Sequence, residues 1–226
     1  MVDPIAFFDP ASDDANVRQA LTTEERLLHA ARGVFAQKGL HGASTKEITA
    51  AAGVQKSTLH YYYRHKEDLY AAVFERAYDE MIQTLATEIT PGMPFADVLR
   101  AFVVHHVRAY ADNPVTVHLW MQENLIGAPV AVPVLERYHH QPGSPYRLFV
   151  EALQAAIASG EVRPVDPAQT FVSVMGACLF FHIARPSMVS SLPSLLQRPE
   201  EAIDVDRFLE EREMAVFELV YRGLAA

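Results

Sequence analysis

Two sets of side chains in this sequence have the types and spacing to do chemistry. The first lies between positions 38 and 66, where Lys38, Lys46, Lys56, Arg64 and Lys66 face a single acid, Glu47. That local charge of +4 is interleaved with Thr45, Ser57 and the run Tyr61, Tyr62, Tyr63, and His41, His60 and His65 can add to it. Cations, hydroxyls and free helix amides in one stretch are the groups that hold phosphate oxygens. The second set is His105-His106, His139-His140 and Cys178 with His182. The Cys178 to His182 spacing puts both on one face of a helix, as a metal site needs. Adjacent histidines on a helix, however, point about 100° apart. No dense ligand motif surrounds these residues, so no metal and no cofactor is expected. Cys178, among apolar neighbours, reads as packing, because a reactive thiolate needs an electropositive, accessible setting.

Helices must position both sets. Thr22 with Glu25 forms a capping box, followed by Leu27, Leu28, Ala31, Val34 and Phe35 at helical spacing and by Gly39 as a stop. A second box, Ser44 with Glu47, opens a short helix with Ile48 and Ala51 inward, ending at Gly53. A third short helix is expected over 55–63. Two short helices joined by a tight glycine-containing turn are the signature of a helix-turn-helix. A long helix over 66–87 follows, with Leu69, Val73, Phe74, Ala77, Met81 and Leu85 along one side, and Pro91-Gly92 breaks it. Further helices are expected over 94–111, 114–126, 144–159, 167–184 and 205–224. The proline-bearing stretches 127–133 and 186–199 read as boundaries. The fold class is therefore all-α, with about nine helices.

Composition bounds the rest. The 226 residues are 50% hydrophobic and 21% charged, enough for a sizeable core and too apolar for a wholly disordered chain. A single cysteine cannot form an internal disulfide, no signal peptide is legible, and no run of about 18 consecutive apolar residues suggests a membrane span. The chain reads as cytoplasmic, with no membrane partner. A glycine-rich phosphate loop and a βαβ rhythm are both missing, which disfavours nucleotide enzymes. Nineteen basic against 28 acidic residues give a net charge of −9, which excludes a protein that coats DNA indiscriminately. The first twenty residues hold −3 of this, so 1–21 reads as an acidic, flexible arm.

The order of motifs resembles the DNA-binding domain of TetR-type transcriptional regulators. The matching text is Val34-Phe35-Ala36-Gln37-Lys38-Gly39, then Ser44-Thr45 with Glu47-Ile48, Ala51-Ala52-Gly53-Val54, Lys56-Ser57-Thr58-Leu59-His60-Tyr61-Tyr62-Tyr63, and Lys66-Glu67-Asp68-Leu69. The resemblance implies a DNA-binding domain over 22–66 and an effector-binding and dimerisation domain over 67–226. It places Thr45, Lys56, Tyr61, Tyr62 and Lys66 at the DNA backbone and Gln55, Ser57 and His60 near bases, with Tyr63 in the core. The family often has serine at Gln55, glycine at Ser57 and tyrosine at His60, so the operator this chain reads is not given by the likeness.

The resemblance also assigns the middle of the chain to an effector, for which Phe102, His106, Trp120, Met121, Glu123, Phe149, Met175, Cys178 and His182 are the candidate lining. Such a lining suits an apolar or aromatic small molecule. The segment from Phe171 to Ile183 is apolar nearly all round and needs partners on both faces. With 205–224, which is read with Glu210, Glu211 and Glu213 outward, it is expected to form a dimer interface through Phe171, Phe180, Phe208, Val216, Leu219 and Val220. The function implied is a ligand-responsive regulator, a repressor in most of the family, binding palindromic operator DNA as a homodimer. A metal-sensing regulator of the same fold is the alternative. An all-α metal-dependent enzyme is the reading from another class. Paired carboxylates and a Ser/His/Asp set with recognisable flanks are not visible, so the chain is read as no enzyme.

Overall fold

The computed structural model describes residues 21–197 and 203–225; apart from Leu21, the acidic arm read at 1–21 lies outside them. Ten helices run through the described residues: α1 (Thr23–Gly42), α2 (Thr45–Ala52), α3 (Lys56–Tyr62), α4 (Lys66–Glu88), α5 (Phe95–Asp112), α6 (Pro114–Leu125), α7 (Ala131–His139), α8 (Pro145–Ser159), α9 (Pro167–Leu195) and α10 (Val205–Leu224). The all-α expectation holds. Among the described residues the only β pairing is an isolated antiparallel bridge between Val162 and Ala225.

The contacts divide the chain into two compact units. One comprises residues up to Glu80 with Pro114–Val134, and the other Met81–Asn113 with Leu135 onward. In the first unit both capping boxes form. The Thr22 hydroxyl accepts from the Glu25 amide at 3.2 Å, and the Ser44 hydroxyl from the Glu47 amide at 3.2 Å. Leu27, Ala31 and Phe35 of α1 are buried on one stripe. Gly39 breaks α1 with φ 67° and ψ 177°. A Cβ at Gly39 would stand 2.5 Å from Gln122 Oε1, which the flexible amide can yield, so it is the positive φ that makes any other residue strained here. Gln122 Nε2 in turn donates to the Ala36 carbonyl at 2.8 Å, which satisfies a group near the break. In α2 the inward residues are Ile48, Thr49 and Ala52; Ala51, expected inward, is exposed.

The six residues expected to line the inner side of α4 are all buried, and Tyr70, Tyr78 and Ile82 join them. Helix α7 was not anticipated. Pro133 reads as a break, yet it occupies the first turn, where a proline costs little because that amide has no helical partner. The cap is supplied from a distance: Glu123 Oε2 accepts from the amides of Val130 and Ala131, both at 2.9 Å. No local motif announces such a cap.

In the second unit α9 packs against α5, α8 and α10. It was expected to end near residue 184 and continues to Leu195 through Pro186 and Pro193. Each proline removes one donor, and the hydroxyls of Ser187 and Ser190 bond the nearby carbonyls of Ala184 and Pro186 at 2.8 and 2.9 Å. Among the described residues α9 is the one helix long and apolar enough, by length and composition alone, to cross a membrane. Glu213 of α10 is not outward: it is 9% exposed, and its two oxygens accept from Arg108 at 2.7 and 2.9 Å.

Candidate nucleic-acid interface

Gly53 holds the turn between α2 and α3 in the left-handed region, with φ 65° and ψ 36°. Its amide donates to the Ala50 carbonyl, and the Val54 amide to the Thr49 carbonyl, closing α2 tightly. Leu59 is fully buried and anchors α3. Tyr63, just past its end, is 9% exposed and donates its hydroxyl to Glu24 Oε1 at 2.9 Å. Burial and that carboxylate both push the Tyr63 phenol up. With Leu59 and Tyr63 inward and Thr58 half-buried, the remaining residues of α3 face water.

The structure leaves Gln55, Lys56, Ser57, His60, Tyr61 and Tyr62 exposed on or at the start of α3. Tyr61 is 83% exposed and Tyr62 39%, and their rings meet edge to face with centroids 5.1 Å apart. No side chain caps the N-terminus of α3, so its first amides are open to a phosphate. Thr45 is half-buried in the first turn of α2. Lys66 is half-buried as well, and its ammonium donates to the Ala43 carbonyl at 2.8 Å, leaving two protons for another acceptor. The basic stretch is less uniform than its sum suggests. Lys38 forms an ion pair with Glu47, and that pair, with the Ser44 hydroxyl and amide, holds the Glu47 carboxyl down at about 2. Besides Lys38, which is exposed but paired with Glu47, the exposed cations of the stretch are Lys46, Lys56 and Arg64; Lys46 and Arg64 carried no assigned role in the sequence, and exposure is the signal that adds them.

The residues assigned to an effector separate between the units. In the first, half-buried Trp120 packs its ring against Phe74 at 5.2 Å and Tyr78 at 6.0 Å, and Met121 is half-buried. Glu123 is fully buried and occupied with the α7 amides, and the Tyr70 hydroxyl is buried beside it. In the second unit Phe102 is the hub of an aromatic cluster, with centroids 4.1 Å from His106, 4.7 Å from Phe149, 5.6 Å from Tyr146 and 5.9 Å from Phe171. His106 is fully buried; its Nδ1 lies 2.7 Å from the Phe102 carbonyl and its Nε2 3.2 Å from the Tyr146 hydroxyl. A carbonyl only accepts, so Nδ1 carries the proton and Nε2 accepts from Tyr146. Met175 is half-buried; Cys178 is fully buried, which pushes its thiol up to about 12. His182 faces the Tyr110 ring at 5.7 Å. Among the described residues no three His, Cys, Asp or Glu side chains converge on a position that would hold a metal ion.

Burial holds His106 down to about 3 and His182 to about 4. Above pH 6.5 both states of the chain are neutral at these rings. Below it the unfolded chain takes up protons that the folded chain refuses, so stability falls as pH falls from 6.5 toward 3. The slope approaches about 1.4 kcal/mol per pH unit for His106 alone. Urea midpoints measured between pH 7 and 4 are expected to drop steeply, and less steeply in His106→Asn.

Of the residues expected at a subunit interface, Phe180 and Leu219 are 58% and 75% exposed, and Val220 is half-buried. Val216 is 2% exposed and turned into the core, Phe171 belongs to the Phe102 cluster, and Phe208 packs on Phe181 with centroids 4.5 Å apart. The exposed apolar face instead gains Val172, Ile183 and Met214.

Comparison with known proteins agrees with this architecture. The sequence matches the family described as bacterial regulatory proteins, tetR family, over residues 27–73, and that described as tetracyclin repressor-like, C-terminal domain, over residues 96–211. The chain belongs to the TetR family. This TetR-family protein is similar to the HTH-type transcriptional regulator RutR of Escherichia coli, with 29% identity over 154 residues, 66% of this chain and 69% of that one. It is also similar to the HTH-type transcriptional repressor BepR of Brucella suis, with 23% identity over 161 residues, 70% and 77% of the two chains. A crystal structure of a TetR family transcription regulator from Marinobacter aquaeolei shares the fold at a TM-score of 0.67 and 20% identity, covering 90% of this chain and 95% of that one. The TetR-family chain is thus a DNA-binding transcriptional regulator and not an enzyme.

Proposed function

We propose that this regulator is a cytoplasmic repressor that binds palindromic operator DNA as a homodimer and is released by an apolar or aromatic small molecule. The observation that carries the DNA half is the solvent-facing side of α3. Gln55, Ser57 and His60 are exposed there as base-reading groups, flanked by Lys56, Tyr61, Tyr62, Thr45 and Lys66 for the backbone. Residues 22–66 form the reading head and 67–226 the effector and dimerisation part. One two-turn helix spans few base pairs, so useful specificity needs two heads a DNA turn apart. The exposed apolar face of α9 and α10, with Val172, Phe180, Ile183 and Leu219, supports self-association. The name of BepR as a repressor favours repression here. An effector acts only by binding the DNA-incompetent state more tightly, and α4, whose residues belong to both units, is the element that couples the two events.

The test uses a duplex selected from random sequences and fluorescence anisotropy over a salt series. Lys46→Ala with Lys56→Ala is expected to lower affinity for all sequences alike and to flatten the plot of log affinity against log salt by about 2 per head, near 0.9 for each lost phosphate contact. An unchanged slope sinks the DNA-facing assignment.

A further inference from the structure

Helices α9 and α10 cross in antiparallel register in the second unit. Arg212 of α10 reaches Ala177 of α9, its Nη2 donating to the Ala177 carbonyl at 2.7 Å, and one turn along each helix Phe208 packs on Phe181 at 4.5 Å. Two nitrogen atoms near this crossing are sealed from water and have no hydrogen-bond partner: Nε of Arg212 and Nε2 of His182. Both belong to groups that carry positive charge or donate a proton, and a sealed donor without an acceptor costs stability.

Nothing among the described residues neutralises the guanidinium. On α10 the two acids flanking Arg212 serve other arginines, Glu211 pairing with Arg207 and Glu213 with Arg108. Helix α9 carries no carboxylate at all. Cys178, one turn before His182, supplies no anion, because its thiol is held up at about 12. Burial, with Arg185 and Arg212 adding to it, holds His182 neutral, so its ring can donate from one nitrogen without adding charge. A partly buried cation lacking a counter-charge is costly, and such a charge is compensated where an anion can be taken up.

We propose that the α9–α10 crossing binds the carboxylate of an acidic small molecule, with Arg212 as the charge partner and His182 as a second donor. The aromatic rings of Tyr110, Phe181 and Phe208 nearby suit an aromatic or aliphatic body behind that carboxylate. The proposal rests on the reading that the second unit takes an effector, and it specifies that effector's class as an organic acid. Charge-assisted pairing to a guanidinium separates an acid from its amide of the same shape.

Isothermal titration calorimetry on the full chain with 4-phenylbutyrate and decanoate, each beside its primary amide, tests it. The acids are expected to bind at least about tenfold more tightly than the amides. Arg212→Gln brings the acids to the level of the amides, and Arg212→Lys retains part of the difference, with circular dichroism confirming that both variants fold. Parallel anisotropy on the selected duplex keeps the two readings apart. If amides and acids bind alike and both release DNA irrespective of Arg212, the effector reading survives and the carboxylate site fails. If no compound of either charge binds or shifts DNA affinity, both fail. Loss of self-association in Arg212→Gln with acid binding unchanged would assign Arg212 to a subunit contact and overturn the proposal.

Discussion

Phe102→Ala is expected to cost the protein about 3–5 kcal/mol, the range for truncating a fully buried phenylalanine. Phe102 is 0% exposed and touches His106, Tyr146, Phe149 and Phe171, so deletion of its ring leaves four aromatic neighbours facing a void that none of them can fill without leaving its rotamer. Phe102→Leu retains most of the volume and is expected to lose less than half as much. The backbone carbonyl of residue 102 still accepts from His106 in both variants, so the polar part of the cluster survives and the loss reports packing. Guanidinium unfolding followed by near-ultraviolet circular dichroism measures it; a loss under about 1 kcal/mol in the alanine variant would mean the cluster repacks freely.

Glu123→Ala is the second large effect, about 2–4 kcal/mol. Its carboxylate caps the first amides of α7, and a half-buried donor at Val130 and a buried one at Ala131 lose their acceptor at once. The Tyr70 hydroxyl, buried and raised in pKa by desolvation and by this carboxylate, loses its neighbour too. Part of the loss is returned because a carboxylate no longer has to be buried. Glu123→Gln keeps an oxygen able to accept both amides and should cost well under half as much as alanine. Urea midpoints give the sizes, and hydrogen exchange at Val130 and Ala131 localises them. Equal losses in the two variants would show that the charge, and not the cap, matters.

Local signals carried the reading of the N-terminal helices well. Two capping boxes, Gly39 and Gly53 each act within a few residues, so their effect is written in neighbouring letters, and both boxes form as read. The exposure of Gln55, Lys56, Ser57, His60 and Tyr61 follows from Leu59 being the buried residue of α3. What stayed hidden depends on partners far along the chain. Helix α7 is capped from another helix, so 127–133 read as a loop. Glu213 looked like one more outward acid until Arg108, 105 positions earlier, was placed beside it. Helix α9 outran its expected end because Pro186 and Pro193 each remove one helical donor without ending the helix, and Val216 sits in the core because periodicity alone does not say which of two apolar faces is covered.

Between Pro167 and Gln197 the only formal charge is Arg185. The inner stripe of α9, Thr170, Val174, Cys178 and Phe181, is closed in part by α10, which lies later in the sequence. During synthesis, at about 5–20 residues per second, α9 therefore emerges seconds before its lid exists. For that interval α5 and α8 are already made and can cover their share of α9, while the part that α10 covers stays bare beside the exposed Val172, Phe180 and Ile183. A chain cut short before Val205 lacks that cover and is expected to aggregate more readily than the full-length protein.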